Sequence, residues 1–195
     1  YLFKHYLKKV DKIITVSASI QNLYLNHFGI KSDLILNASV YKQFHYLPTD
    51  ENRISIIHHG NAVRSRYIEE MIRMLSFTDE RFTLYLMLVE RSDKKYVPYL
   101  KRFAQKRAPG RVVFIPSVDK TKVLDAISAF DIGLPFLKAS QKNILNALPN
   151  KFFHYIMAGL AIIIPPLPAM AEIIKREGIG CIAQSIDAKA VAKML

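Results

Sequence analysis

Short β-branched runs alternate along this chain with segments whose apolar residues recur every three or four positions. Lys12–Val16 predicts a strand, and Ala18–Phe28 predicts a helix stopped by Gly29. Asp33–Leu36 predicts a second strand. The polar and aromatic stretch Asn37–Asn52, with Pro48, has the character of a linker. Beyond it the alternation becomes regular. Ile54–His58 predicts a buried strand ending at His59-Gly60, followed by a helix carrying Ile68, Met71, Ile72 and Leu75. Phe82–Val89 is the next strand, and Leu100, Phe103 and Ala104 mark the next helix. Val112–Ile115 is a strand halted by Pro116, and Val123, Ile127 and Phe130 line one helix face. Ile132–Leu134 predicts a short strand. A long connection then leads to a helix around Lys151–Met157, capped by Gly159. Leu160–Ile164, Met170–Arg176 and Gly180–Ala183 read as strand, helix and strand.

Strands alternating with helices of this length imply βαβ units, hence an α/β fold with a parallel sheet covered on both faces. Ligands of such sheets bind beyond the carboxyl ends of the strands. The loops to inspect are therefore Gly60–Arg66, Pro116–Lys120 and Leu137–Lys151.

Composition refines this picture in three ways. The 195 residues are 51% apolar and 11% aromatic, enough for one α/β domain with a closed core and against disorder. With 28 basic and 16 acidic side chains, the net charge of +12 favours anionic partners such as nucleotide phosphates, lipid head groups or nucleic acid. The single cysteine, Cys181, excludes an internal disulfide and reads as a small buried residue in a reducing compartment. No apolar run approaches the roughly 20 residues that a membrane helix needs. A start on Tyr1 and an apparently unfinished helix at Ala188–Leu195 give the expectation of a piece of a longer protein, with no signal peptide visible.

Three constellations could carry chemistry. The first is His58-His59-Gly60-Asn61-Ala62-Val63-Arg64-Ser65-Arg66, between a strand and a helix. Gly60 lets backbone approach a ligand closely, and Ser65 is placed to cap a helix whose N-terminus favours an anion. Arg64 and Arg66 add donors suited to phosphate, although a solvated loop would look the same. The spacing matches neither a dinucleotide fingerprint nor a P-loop. Neighbouring histidines of a strand point to opposite faces, so a metal pair at His58-His59 is disfavoured, with one packed and the other toward the cleft.

The second runs from Asn143 to Gly159 and includes Asn146, Pro149, Asn150, Lys151 and His154. Pro149 suits a helix start, which puts Lys151 where the helix dipole disfavours a cation unless an anion also sits there. Phe152, Phe153, Ile156 and Met157 have core spacing. The third, Ile115-Pro116-Ser117-Val118, exposes backbone able to read a base edge, and it is equally a plain turn.

Other candidates carry less. Lys94, Lys95, Lys101, Arg102, Lys106 and Arg107 form a basic face that is usually only solvated, though compatible with an anionic membrane. The aromatics have core spacing, so no nucleic-acid partner is expected. Asn37-Ala38-Ser39 matches a glycosylation acceptor, idle in a cytosolic chain.

The order of elements resembles the GT-B fold glycosyltransferases, specifically the retaining family 4 group. Asp11-Lys-Ile-Ile-Thr-Val16-Ser17 and Leu34-Ile-Leu-Asn37 look like the strands that close the N-terminal domain of that group. Asp131-Ile-Gly-Leu134, Leu148-Pro-Asn-Lys151 and Ala158-Gly159-Leu160-Ala-Ile-Ile163 resemble its donor-domain core. The resemblance implies a Rossmann-like sheet, the C-terminal half of a GT-B fold. It implies residues 1–44 as a remnant of the acceptor domain and linker, and 45–195 as the nucleotide-sugar-binding domain. It further implies a diphosphate held by Arg66 (or Arg64) and Lys151, and a base at Ser117-Val118. No metal or other cofactor is implied, because the cations and a helix N-terminus stabilise the departing diphosphate. Asn146 and His154 stand where the group carries glutamates, the second of which binds the ribose hydroxyls. A neutral histidine can also hydrogen-bond a hydroxyl.

The expected function is thus transfer of a sugar, with retention, from a UDP- or GDP-sugar to a saccharide or lipid-linked acceptor. Its expected setting is bacterial-type surface polysaccharide synthesis, in the cytoplasm or on the inner membrane face, with the piece alone inactive. The expected donor-site residues are Gly60, Asn61, Arg64, Arg66, Ser117, Val118, Asn146, Asn150, Lys151 and His154. Two alternatives stay open: a nucleotide-sugar 2-epimerase of the same fold, and a non-catalytic basic module that docks on membrane or nucleic acid.

Overall fold

The computed structural model describes residues 5–46, 48–90, 93–138 and 142–195. Six strands form one parallel sheet: β3 (Ile54–Asn61), β4 (Phe82–Val89), β5 (Val112–Ile115), β6 (Ile132–Gly133), β7 (Ala161–Ile164) and β8 (Gly180–Ile182). Their spatial order is β5-β4-β3-β6-β7-β8. The chain therefore steps outward from β3 to one edge, then returns to its other side and steps outward again. Where the order reverses, between β3 and β6, the flanking connections leave in opposite directions and a crevice opens at the carboxyl ends. A separate two-stranded parallel ladder pairs β1 (Ile14–Thr15) with β2 (Asp33–Leu34), joined by helix α1 (Ala18–Phe28). Ser17 caps α1 by accepting from the Ile20 amide, and Gly29 ends it in the left-handed conformation.

Strands buried on both faces alternate their side chains between two cores. On one face Ile56, Leu84, Leu86 and Leu134 pack with α2 (Ile68–Met74), α3 (Tyr96–Arg107) and α8 (Ala188–Ala192). On the other, Ile57, Met87, Ile162 and Ile164 pack with α4 (Val123–Ile127), α6 (Asn150–Met157) and α7 (Pro168–Glu177). The remaining helix, α5 (Lys142–Leu145), lies within the connection from β6 to α6. Asp131 locks β6 to β3, because its carboxylate accepts from the Ser55 amide at 2.8 Å and hydroxyl at 2.6 Å. Among the described residues no helix is long and apolar enough to cross a membrane.

Several expectations change. Strand β3 does not stop at His58 but runs through His59 and Gly60 to Asn61, eight residues paired with all of β4. The helix after it starts at Ile68, following a 3-10 turn at Arg64–Arg66 and a left-handed Tyr67. Ser65 therefore caps nothing there, and Glu69 and Glu70 stand in the first turn, where their charge already complements the helix dipole. Helix α4 ends at Ile127, and Phe130 packs on Tyr85 from outside it, ring centroids 4.9 Å apart. Cys181 is exposed. It lies on the edge strand β8, where the pleat turns Gly180 and Ile182 inward and Cys181 outward. Of the predicted loop Leu137–Lys151, residues 139–141 lie outside the described residues.

Candidate functional site

The crevice at the switch point is a cleft of about 330 Å³. Its lining includes His59, Gly60 and Asn61 from the end of β3 and Ser117, Val118 and Lys120 from the connection after β5. Asn150 and His154 from the start of α6 close it. Gly60 sits at φ +123°, a conformation open to glycine and strained for other residues.

Lys151, the second residue of α6, is 8% exposed and sits behind this cleft. Its ammonium donates to the His59 carbonyl at 2.7 Å and lies 3.4 Å from His58 Nε2. His58 Nδ1 lies 2.7 Å from the Leu134 carbonyl. A carbonyl only accepts, so Nδ1 carries the proton and Nε2 is left as an acceptor for Lys151. Burial and the Lys151 charge hold His58 well below the ordinary histidine pKa. Among the described residues, the hydrogen-bond partners of the ammonium are thus neutral. Burial, then the charge of Arg66, pushes Lys151 itself well below the usual lysine value.

Arg66 is half-buried, its guanidinium disfavoured by burial, and its Nε has no hydrogen-bond partner in the protein. Neither Lys151 nor Arg66 forms an ion pair with a carboxylate among the described residues. The Arg66 charge lies close enough to disfavour the Lys151 ammonium, at a helix start that no side chain caps. Buried charges are ordinarily paired. An anion at this helix start would supply the counter-charge.

The two other histidines shape the rim. His59 and His154 stack with ring centroids 5.3 Å apart, and the His59 edge meets Tyr155 at 5.2 Å. The His59 amide donates to the Tyr155 hydroxyl at 3.2 Å. Burial first, then Lys151 and His154, brings the His59 pKa down to about 3. His154 is lowered by burial and by Lys151. His59 Nε2 and His154 Nδ1 are both buried without a protein partner.

Of the ten expected site residues, Gly60, Asn61, Ser117, Val118, Asn150 and His154 line the one cleft, with Lys151 behind it and Arg66 near enough for its charge to act on Lys151. Of the two arginines, Arg66 is the one whose charge acts on Lys151. Arg64 turns away, its guanidinium 4.8 Å from the Tyr96 ring and 3.3 Å from Glu69. Asn146 does not line the cleft, and its carbonyl accepts from the Ser17 hydroxyl at 2.8 Å. Sequence reasoning reached Lys120 only as the end of a loop to inspect, not as a wall of the cleft, and it missed the contact of His59 with His154, which are 95 positions apart in the chain.

No protein family model and no curated protein matches the sequence. Solved structures do. HepE of Anabaena, crystallised with UDP, is 14% identical over 94% of this chain and 52% of its own, TM-score 0.71. Sucrose-phosphate synthase of Thermosynechococcus elongatus is 18% identical over 98% of this chain and 49% of its own, TM-score 0.72. A glycosyltransferase of Rickettsia africae ESF-5 is 14% identical over 98% and 55%, TM-score 0.71. The chain spans about half the length of these proteins. Its six-stranded parallel sheet flanked by helices is that of the GT-B glycosyltransferase fold.

Proposed function

We propose that the chain is the nucleotide-sugar-binding half of a glycosyltransferase that moves a sugar from a nucleoside diphosphate to a saccharide or lipid-linked acceptor. Residues 45–195 are the donor-binding domain in this proposal, and residues 1–44 belong to the acceptor domain and linker. The observation that carries it is the pair Lys151 and Arg66: desolvated cations without a carboxylate, at an uncapped helix start in the switch-point crevice. A diphosphate supplies the missing charge and accepts from both. The base lies toward Ser117 and Val118, and the ribose toward His154. HepE, of the same fold, has been solved with UDP and with UDP and glucose, which supports a nucleotide in this crevice.

The same cations do the chemistry expected of this half. As the glycosidic bond breaks, negative charge grows on the diphosphate, and cations already fixed in a dry site stabilise it without reorganising. Retention, a role in surface polysaccharide synthesis and a peripheral contact of the basic α3 face with anionic lipid extend the same proposal. The chain alone transfers no sugar in this reading, since acceptor groups come from the rest of the protein.

Calorimetric titration with UDP, GDP and their sugars tests it. Saturable binding of a nucleoside diphosphate, weakened ten- to hundredfold by Lys151→Met, is expected for a lost charge-assisted contact of about 1.5–3 kcal/mol. No binding, or equal weak binding of every anion that vanishes in salt, refutes it.

A further inference from the structure

Irregular backbone at residues 37–46 crosses α6 as a strap and is pinned at its far end. The Lys42 amide donates to Met157 Sδ at 3.4 Å, the Lys42 ammonium pairs with Asp125, and the Tyr46 hydroxyl donates to the Met157 carbonyl at 3.3 Å. The near end of the strap, Asn37, Ala38 and Ser39, walls a cavity of about 100 Å³ that His154 also lines. His154 is at the same time a wall of the nucleotide cleft, and so is His59. Their rings stack with centroids 5.3 Å apart and planes 21° apart.

His59 Nε2 and His154 Nδ1 are out of solvent and lack a protein partner. Buried polar atoms are nearly always paired, so these two nitrogens await a partner that the chain does not supply. An imidazole that gains a proton donates from both ring nitrogens and carries a charge, and an anion answers both.

Without an anion, the surroundings oppose that proton. Burial and the charge of Lys151 on α6 act against it on both rings. His58 of β3 is held neutral, and Tyr155 of α6 keeps its own proton. Arg66 adds its charge on His58 and Lys151, and Lys120 lines the cleft as a further cation. Lys42 of the strap is already paired with Asp125. Among the described residues no carboxylate lines the cleft or the small cavity. His59 accordingly stays neutral down to about pH 3. A charge on His154 disfavours one on His59, so the pair has room for one proton rather than two.

A diphosphate at the start of α6 reverses this balance. At an effective dielectric of about 20, a unit charge about 5 Å away changes the proton affinity of an imidazole roughly two-hundredfold. We propose that the site takes up one proton together with its diphosphate, and that the stacked pair of His59 and His154 holds it as an additional positive charge. This rests on the nucleotide-sugar reading above and makes His59 a binding residue. By linkage, affinity rises as pH falls, and the proton leaves again with the diphosphate.

The test is calorimetric titration of the whole chain with UDP-glucose and GDP-mannose, whose diphosphates stay ionised between pH 6.0 and 7.5. Titrations at pH 6.0 in MES and in Bis-Tris, buffers of different ionisation enthalpy, give the number of protons taken up. The ligand that binds is expected to bring about half a proton or more. It should bind about three- to tenfold more tightly at pH 6.0 than at pH 7.5. In the double variant His59→Gln, His154→Gln both effects should be lost. Each single variant keeps one ring and should show less uptake at pH 6.0, which decides the matter should the double variant not fold. Saturable binding without proton uptake in the wild type overturns the histidine pair while leaving nucleotide binding intact. Uptake undiminished in the variants does the same, since it places the proton on another group such as Lys151. A wild-type chain that binds neither sugar nucleotide overturns the nucleotide reading and the proton coupling with it.

Discussion

The ammonium of Lys151 lies 3.2 Å from where a β-carbon on Gly60 would stand. Helix α6 thereby delivers its cation through the gap left by a residue that has no side chain, at the last turn of the central strand. Gly60→Ala adds strain at φ +123° and crowds that ammonium. The expected outcome is a destabilisation of roughly 1–3 kcal/mol, typical of a residue forced into a sparsely populated conformation. Nucleoside diphosphate binding should weaken in parallel. Urea unfolding and calorimetry measure the two effects, and an unchanged affinity would separate Gly60 from the site.

The two arginines of the β3–α2 connection should behave oppositely. Arg66→Ala removes a half-buried, unpaired cation beside Lys151, and diphosphate affinity is expected to fall about ten- to hundredfold. Arg64→Ala removes an exposed ion pair to Glu69 and a stacking contact on Tyr96. Its stability cost should stay within about 1 kcal/mol, and affinity should change by less than about twofold. Equal losses from both variants would contradict the assignment.

These residues also show how far the sequence could be read. Ala18–Phe28, Phe82–Val89 and Val112–Ile115 are legible to the residue, because a helix that meets glycine and strands of branched or apolar residues declare their own limits. The end of β3 is not legible: His-His-Gly-Asn has little strand propensity, and only pairing with all eight residues of β4 extends it. That the loops carrying Gly60, Asn61, Ser117, Asn150 and Lys151 meet follows from βαβ alternation, which puts them at the carboxyl ends of the strands, whereas His154 is implied only by the family resemblance. Arg64 and Arg66 look alike in sequence. What separates them is Tyr96 and Tyr99 of α3, which take the Arg64 guanidinium. Cys181 looks buried by composition and is exposed, because nothing local reveals that β8 is an edge.

Acid should destabilise the protein through its buried histidines. In the unfolded chain a histidine takes up a proton near pH 6.5. In the fold His58 stays neutral well below that, and His59 down to about pH 3. The unfolded state therefore binds more protons across this window, and stability falls as pH drops from 6.5. The slope is about 1.4 kcal/mol per pH unit for each histidine. Urea midpoints at pH 7.5 and 5.0 should differ accordingly, with a smaller difference in His59→Gln. Equal midpoints would mean that these rings protonate freely in the native protein. A bound diphosphate should reduce the acid loss, because an anion beside Lys151 favours the protonated imidazoles.

Gly159 tests how tightly the strap is seated. It adopts φ +73°, and a β-carbon there would overlap the ring of Tyr46, which also donates to the Met157 carbonyl at 3.3 Å. Gly159→Ala should therefore destabilise through two separable effects, backbone strain and displacement of the ring. In a Tyr46→Ala background only the strain remains. The cost of Gly159→Ala should then be smaller than in the wild type, by about 0.5–3 kcal/mol for residues in direct contact. Strictly additive variants would show that Tyr46 does not rest on Gly159 in solution. A non-additive result would establish that residues 37–46 are held against α6 before any ligand arrives, the placement that brings Ser39 beside His154.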